Sequence, residues 1–551
     1  MEFQITQISS LEKVRRTDAL THDEIHKKSV MAGERLSYQI CLKTASPLEA
    51  VVTLDSPLAE HIKLYLVKDV YMDQPVTEDI SQEDYITLKP GMMPDVLVPL
   101  AESQNMLQFH ENATVWVRVD IPADMQPGTY LITVKFALKD RRVGYTPVGE
   151  IYKTMQLEVI PATMPEQKLI YTRWFYADCI AVQHNVEIYS EAHWELIEKY
   201  IAAASDLGIN MILVPTHTPP LDTAIGTTRP CVQLIDIEKK GDVYEFKFDK
   251  FERFINICKR QGIQYFEMAH MFSQWGAKCA ANIMVTENGV KDYMFGWHVA
   301  ADSDEYVDFL KQYITAISSE LVREGISEQT YFHISDEPNV LSLDTYKKAS
   351  EIIRPLLKGS KTLDALSKYE FYEKGLIECP VTSVRRIHEF LEHKIENQWT
   401  YYCCGPQTLF TNSFMAMPSY RVRILGFLLY KYDIKGFLHW GFNFYNTRLS
   451  LYPINPYTTT SADSAFPSGD PYIVYPGIGT VYSSIRGEVT YDAIQDMRIC
   501  MALESYIGRA AVIQMIDEAA QRDLRFDDYP RSKDFLENLR AQMLEKIKEL
   551  A

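Results

Sequence analysis

The sequence predicts a mixed α/β protein: an N-terminal β-sandwich over residues 1–162, a (β/α)8 barrel of the TIM type over 163–446, and a C-terminal extension of one long loop and helices over 447–551. Three observations carry that reading. Period-2 alternation of apolar residues is confined to the chain before residue 161, as half-buried strands require. A break in periodicity with two prolines, Pro161 and Pro165, follows. Beyond it, eight strand-like runs alternate with helical patterns, the signature of parallel strands joined by right-handed crossovers.

In the N-terminal part the runs 113–122, 128–139 and 153–161 alternate Val, Ile, Tyr and Trp with polar residues, and Gln126-Pro127-Gly128 marks a turn between two of them. Several short strands at this spacing read as a sandwich. The eight later strand candidates lie at 168–176, 209–216, 262–270, 329–339, 361–367, 375–379, 399–404 and 435–442. Between the first two, Trp194, Ile197, Tyr200, Ile201, Ala204 and Leu207 recur at helical spacing and Gly208 closes the helix. Further helices are predicted near 250–261 and 303–324, with a hairpin around Lys240-Gly241-Asp242. Neither GxGxxG nor a Walker A sequence is present, so a nucleotide-binding open sheet fits less well than a closed barrel. Residues 447–482 form a long Pro-, Ser-, Thr- and Tyr-rich segment, a length typical of functional loops. In the last helix, Phe535, Leu539, Met543, Ile547 and Leu550 form a stripe that is expected to pack on the barrel.

Composition narrows the function. Of 551 residues, 46% are hydrophobic and 24% charged, and no run approaches the roughly 18 apolar residues of a membrane span. Fifty-six Lys and Arg against 74 Asp and Glu leave a net charge of -18, a field that repels phosphate backbones and anionic headgroups. Neither nucleic acid nor a membrane is therefore an expected partner. Thirty-four tyrosines supply amphipathic rings of the kind that line carbohydrate sites. The nine cysteines are scattered without CxxC, and the N-terminus lacks the basic and apolar regions of a secretory signal. Reduced thiols and a cytoplasmic location are the expectation.

Barrel enzymes carry their chemistry at the C-terminal ends of strands. The fourth candidate ends in Asp336-Glu337-Pro338-Asn339, two adjacent carboxylates at that rim. Capping the next helix is their competing role, but Ser342 and Asp344 stand closer to it. The third candidate ends in His270 and, five residues on, Trp275, a hydrogen-bonding group and a stacking platform for a sugar face. The seventh and eighth contribute Tyr401, Trp440 and Asn443. Other chemistries fall away. His388 and His393 are five apart, about 140° around a helix, so they do not share a metal. Cys403-Cys404 lacks metal-ligand spacing, and no GxSxG elbow occurs. No metal or cofactor is implied.

These motifs resemble glycoside hydrolase family 123 and its broader relatives, the bacterial proteins of unknown function 4091. The resemblance rests on Asp336-Glu337-Pro338, on His270 with Trp275-Gly276-Ala277-Lys278, and on Trp399, Tyr401, Cys403 and Pro406. It continues through Gly436-Phe437-Leu438-His439-Trp440, Gly469-Asp470-Pro471, Tyr475-Pro476-Gly477, and Ser484 with Arg486 and Glu488, and so covers about 115 to 500. Departures are Gly487, where the family usually has a bulky residue, and Tyr491-Asp492-Ala493 in place of its R-D-G. The resemblance implies a β-N-acetylgalactosaminidase in which Asp336 and Glu337 assist attack by the substrate's own acetamido group, with a carbohydrate as partner. Adjacent carboxylates suit that division of labour, because a conventional retaining pair must stand about 5 Å apart across the sugar, usually on different strands. Their closeness is also expected to raise one carboxyl, helping to keep Glu337 protonated. Two alternatives stand beside it: a glycosidase for an unmodified sugar with Asp178 or Glu378 as nucleophile, and a carbohydrate-binding protein without catalysis.

Overall fold

The computed structural model describes residues 3–80, 84–338, 342–357 and 359–551. Its N-terminal domain is built from strands Phe3–Ser9, Lys27–Ala32, Arg35–Asp55, Ile62–Met72, Gly91–Pro99, Met106–Asp120, Gly128–Asp140 and Thr146–Thr163. The 21-residue strand Arg35–Asp55 organises them. Its first half pairs antiparallel with Phe3–Ser9 and with Met106–Asp120, and after an irregularity between Thr44 and Leu48 its second half pairs with Gly128–Asp140. Such a bulge bends a strand and re-aims its faces. Alternate residues of both halves, Tyr38, Ile40 and Leu42 with Leu48, Ala50 and Val52, enter one apolar core with Val115, Val117, Val134 and Phe136. The opposite face of Met106–Asp120 turns Trp116 into the core shared with the barrel and sends Arg118 to Asp206 and Glu488.

The barrel closes with eight parallel strands, labelled here β1 (Ile170–Arg173), β2 (Met211–Val214), β3 (Tyr265–Met268), β4 (Thr330–Phe332), β5 (Lys361–Leu366), β6 (Cys379–Ser383), β7 (Trp399–Tyr401) and β8 (Gly436–His439). Their residues are almost all buried, so the strands read as continuous apolar runs rather than alternations. Helix Glu191–Asp206 shows the logic of the outer layer. Ser190 caps it by accepting the His193 N–H, Trp194, Ile197, Tyr200, Ile201 and Ala204 form its buried face, and Gly208 turns the chain with a positive φ. The loops after β2 and β3 each carry a hairpin, and the strands Asp236–Lys240, Val243–Lys247, Ile283–Glu287 and Val290–Phe295 join into a small sheet beside the barrel. Only the first of these hairpins is expected from the sequence.

One barrel strand departs from expectation. The sixth lies at Cys379–Ser383 rather than 375–379. Pro380 argues against a strand on sequence grounds, whereas Leu376 and Ile377 are buried in the connection after helix Glu370–Glu373. The long segment 447–482 runs from the end of β8 to hairpin Tyr475–Gly477 and Thr480–Ser484, which adds to the edge of the N-terminal sheet through Ser483↔Leu97 and Ser484↔Val96. The last helix, Lys533–Leu550, buries Leu536, Leu539, Met543, Leu544 and Ile547. It packs on helix Ile485–Ile507 and on the N-terminal sheet as well, while Leu550 stays exposed. Among the described residues no helix is long and apolar enough to cross a membrane.

Candidate active site

The site begins where β3 and β4 run past their last regular residues. Their pairing continues into the loops: Met271 N–H donates to His333 O, Phe272 N–H to Ile334 O and Trp275 N–H to Asp336 O at 3.0 Å. Ser335 Oγ accepts the Ala277 N–H at 3.1 Å and donates to Ser273 O. The two loops are thus one unit, and it delivers Asp336, Glu337 and Trp275 together. Gly276 has to be glycine, since its φ is +121° and an added Cβ would stand 2.3 Å from the Ser342 Cβ. Trp275, Glu337 and, across the cavity, Asp222 hold positive φ values of 60°, 41° and 41°. Non-glycine residues adopt such angles only where their surroundings impose them, commonly at functional sites.

A fully buried charged layer supports this unit from below. His333 donates through Nε2 to Glu267 on β3 at 2.8 Å and through Nδ1 to Asp364 on β5 at 3.1 Å. Burial alone would lower the imidazole, but these two carboxylates push it up to about 9, so it carries charge at neutral pH. Glu267 also accepts from Thr172 and from Trp174 Nε1. Asp364 accepts the Ile334 and Ser335 N–H groups and the Tyr346 hydroxyl. The backbone immediately before Asp336 is therefore pinned by a carboxylate from the next strand.

Above this layer lies a cavity of about 210 Å³ that brings together Asp336, Glu337, Trp275, Tyr401 and Trp440 in its lining. Tyr401 donates its hydroxyl to Glu337 Oε1 at 2.8 Å. Trp440 donates Nε1 to Asp470 Oδ2 at 2.9 Å and packs its ring edge-on to Phe444 and Phe466. Trp275 is partly exposed at the rim. Burial and the neighbouring Glu337 push the Asp336 carboxyl well above the usual range. Asn339 lies outside the described residues.

Two expected substrate contacts sit elsewhere. His270 is buried beneath the cavity, stacked on His333 with ring centroids 4.1 Å apart and edge-on to Trp174. Burial and the His333 charge hold it well below the usual imidazole range. Asn443 grips the main chain of Tyr176, accepting its N–H at 2.9 Å and donating to its carbonyl at 3.0 Å. It orients a residue of the wall without lining the cavity. The alternative nucleophiles also lie apart. Glu378 precedes β6, at the opposite end of the barrel, paired with Arg354 at 3.4 Å, and Asp178 is buried against Arg229 at 3.5 Å.

The walls also include residues without a sequence signal: Asp222 and Gln274 on the β2 and β3 loops, and Arg448 and Phe466 from the segment 447–482. Asp222 accepts the Leu449 N–H at 3.0 Å, and burial pushes it up to about 6. The loop length flagged their segment, but aperiodic loops do not announce which side chain turns inward. His270, His333 and Asp364 present ligand-type atoms within 4.8 Å of one another. A cation fits poorly there, since both His333 nitrogens already donate to carboxylates. The arrangement offers paired carboxylic acid and carboxylate groups, aromatic faces and a closed floor, which is chemistry for protonating and stabilising a sugar acetal.

The chain matches the family model described as glycoside hydrolase 123, catalytic domain, over residues 174–503, and that of the glycoside hydrolase 123 N-terminal domain over 12–137. No curated protein matches it. A solved family 123 glycoside hydrolase from Clostridium perfringens, described for glycolipid glycan hydrolysis, superposes with a TM-score of 0.73 at 16% identity, covering 100% of this chain and 98% of that one. A β-D-glucuronidase from Dictyoglomus thermophilum covers 89% of this chain and 97% of its own at 8% identity, with a TM-score of only 0.32. By the catalytic-domain match the chain belongs to glycoside hydrolase family 123 and is a glycosidase.

Proposed function

We propose that this glycosidase is a retaining, exo-acting β-N-acetylhexosaminidase, preferring galactosamine, in which the substrate's 2-acetamido oxygen is the nucleophile. The observation that carries the reading is the placement of Asp336 and Glu337 side by side on one loop of one cavity. A conventional retaining pair faces itself across the anomeric carbon, whereas neighbours serve two different atoms of one substrate. Asp336 accepts the acetamido N–H and steadies the oxazolinium charge as the ring closes. Glu337 protonates the departing oxygen and then takes a proton from the water that opens the ring. Burial and the neighbouring Glu337 favour a proton on Asp336. An arriving amide N–H favours ionised Asp336, which moves that proton toward Glu337, where departure of the aglycone needs it. The cavity, about 210 Å³, is below the roughly 300–1,000 Å³ of sites for drug-sized ligands, and a site for one terminal sugar fits it better than a cleft for a chain.

A second reading follows from Asp222. It is a carboxylate on another loop of the same cavity, so it replaces Asp178 and Glu378 as the candidate nucleophile of a conventional mechanism on an unmodified sugar. Chromogenic β-glycosides with and without the 2-acetamido group separate the two. Turnover confined to acetamido sugars, with tight inhibition by a thiazoline analogue of the oxazoline, supports substrate assistance. Turnover of the plain sugars, with a fluorosugar trapped on Asp222, would overturn it.

A further inference from the structure

Cys403 and Cys404 follow directly on Tyr401 and Tyr402 at the end of β7, and both line the catalytic cavity. Their sulfurs stand 3.8 Å apart and both side chains are half-buried. Of the other seven cysteines, five are fully buried and two, Cys231 and Cys279, are half-buried elsewhere in the chain. The mechanism uses neither member of the pair. The loop that carries them is held by Asn412 Nδ2 donating to Cys403 O at 2.9 Å and by Gln407 Nε2 donating to Cys404 O at 3.1 Å. That loop is continuous with the residue whose hydroxyl binds Glu337.

We infer that Cys403 and Cys404 form a dithiol modification site inside the active site, which a low-molecular-weight disulfide such as oxidised glutathione converts to a vicinal disulfide that suppresses hydrolysis. This inference rests on the reading of the cavity as the sugar site only for its effect on activity. In the first step one cysteine thiolate attacks the small disulfide, forming a mixed disulfide and releasing one thiol. In the second, the neighbouring thiol attacks the cysteine sulfur of that adduct, forming the Cys403–Cys404 bond and releasing the second thiol. Two protons and two electrons thus leave the protein and reside in two molecules of glutathione. The hydrogen bond with Cys404, then burial and the nearby Glu337 carboxylate, hold the Cys403 thiol well above its ordinary value.

Consecutive Cα atoms are about 3.8 Å apart across a trans peptide, short of the usual 4.4–6.8 Å span of a disulfide. The bond formed is strained, and strained disulfides are the readily reduced, regulatory kind. Closing it draws the sulfurs from 3.8 Å to about 2.0 Å and shifts the loop that follows Tyr401. A displacement near 1 Å at a catalytic group can cost about 10²-fold in rate.

The test incubates the intact enzyme with oxidised glutathione and maps it by mass spectrometry after alkylation and trypsin cleavage. The tryptic peptide 395–421 contains these two cysteines and no others. The expected result is a loss of 2 Da on that peptide, reversed by dithiothreitol. A parallel fall of about 10²-fold in kcat/KM is expected in the wild type, while Cys404→Ser and Cys404→Ala, whatever their starting rates, do not respond to the oxidant. A peptide that stays fully alkylated, or that holds only glutathione adducts, overturns the dithiol site. Complete bridging with unchanged turnover overturns the suppression of hydrolysis. An enzyme inactive on every acetamido sugar counts against the proposed substrate instead, and the peptide mass still decides the site.

Discussion

Two regions of this molecule treat buried charge in opposite ways. Between the N-terminal sheet and the helices Glu191–Asp206 and Ile485–Ile507, carboxylates are matched by arginines. Arg486 reaches Asp95 at 2.9 Å, and Arg35 and Arg118 share Asp206, Asp120 and Glu488. At the C-terminal mouth of the barrel, Asp336 is buried beside another carboxylate, and burial raises it and Asp222 alike. The lesson is that a paired buried charge holds two domains in register, since removing either partner strands the other. An unpaired one is kept at a protonation state that water would not allow, which is what an acid catalyst needs. The tail motif that contributed to the family resemblance belongs to the first region: Ser484 caps helix Ile485–Ile507, Arg486 and Glu488 pair across the interface, and none of the three lines the cavity.

Disarming the unpaired region should have the largest effect. Glu337→Gln is expected to cut turnover of substrates with poor leaving groups by about 10²–10⁴-fold and to spare activated aryl glycosides more, with the melting temperature little changed. Steady-state kinetics on both substrate types check this, and equal losses on both would remove Glu337 from the acid role. Asp336→Asn should weaken thiazoline inhibition, because it exchanges a charge-assisted bond for a neutral one.

Disarming the paired region should do the reverse. Arg486→Met leaves Asp95 buried without its partner and is expected to cost about 3–5 kcal/mol of stability, read by denaturant unfolding, while kcat of the protein that remains folded stays near the wild-type value. Arg486→Met combined with Asp95→Leu should recover most of that loss. If kcat falls as far as stability does, the two regions are not separable in the way their charge pairing suggests.

How far the sequence revealed this contrast depended on periodicity. The barrel strands were legible because apolar runs such as that ending at Met268 are bounded by turns, and Asp336 and Glu337 were legible because they end such a run. The register of β6 was not, because Pro380 argues against a strand while the buried Leu376 and Ile377 imitate one. His270 and Asn443 were placed at the right end of the barrel but with the wrong neighbours. Strand-end position cannot tell a ring that stacks on His333 below the cavity from one that faces it. Asp222, Arg448 and Phe466 arrive on loops whose paths depend on distant contacts, such as the Leu449 N–H donating to Asp222, and no local pattern encodes those.

His333 tests whether the two regions differ in kind, since it is a buried cation paired on both sides directly beneath the unpaired carboxylates. Its folded value, raised from 6.5 to about 9, means that its contribution to stability is fully present below about pH 6.5 and drains away as pH rises through about 9. At about 1.4 kcal/mol per unit this amounts to about 3 kcal/mol. Thermal unfolding of the wild type should therefore show a decline between pH 7 and 9.5 that His333→Gln lacks. Parallel slopes for the two proteins would mean that the imidazole is neutral in the fold.

The smallest expected effect is the most specific. Tyr401 donates to Glu337 Oε1 at 2.8 Å, and burial followed by the Glu337 charge keeps the phenol well above its ordinary value, so it remains a donor at every pH at which the enzyme works. A donor favours the ionised carboxylate over the neutral acid, and the ionised form is the one Glu337 approaches as the aglycone departs. The bond therefore strengthens toward the transition state, and its removal should fall on kcat rather than on KM. A hydrogen bond to a charged group is worth about 1.5–3 kcal/mol, so Tyr401→Phe is expected to lose roughly tenfold to a hundredfold in kcat, with the basic limb of the pH–rate profile moved to higher pH. A Tyr401 that is merely a wall of the cavity predicts instead a raised KM, an unchanged kcat and an unmoved profile, and one set of kinetics across pH distinguishes the two.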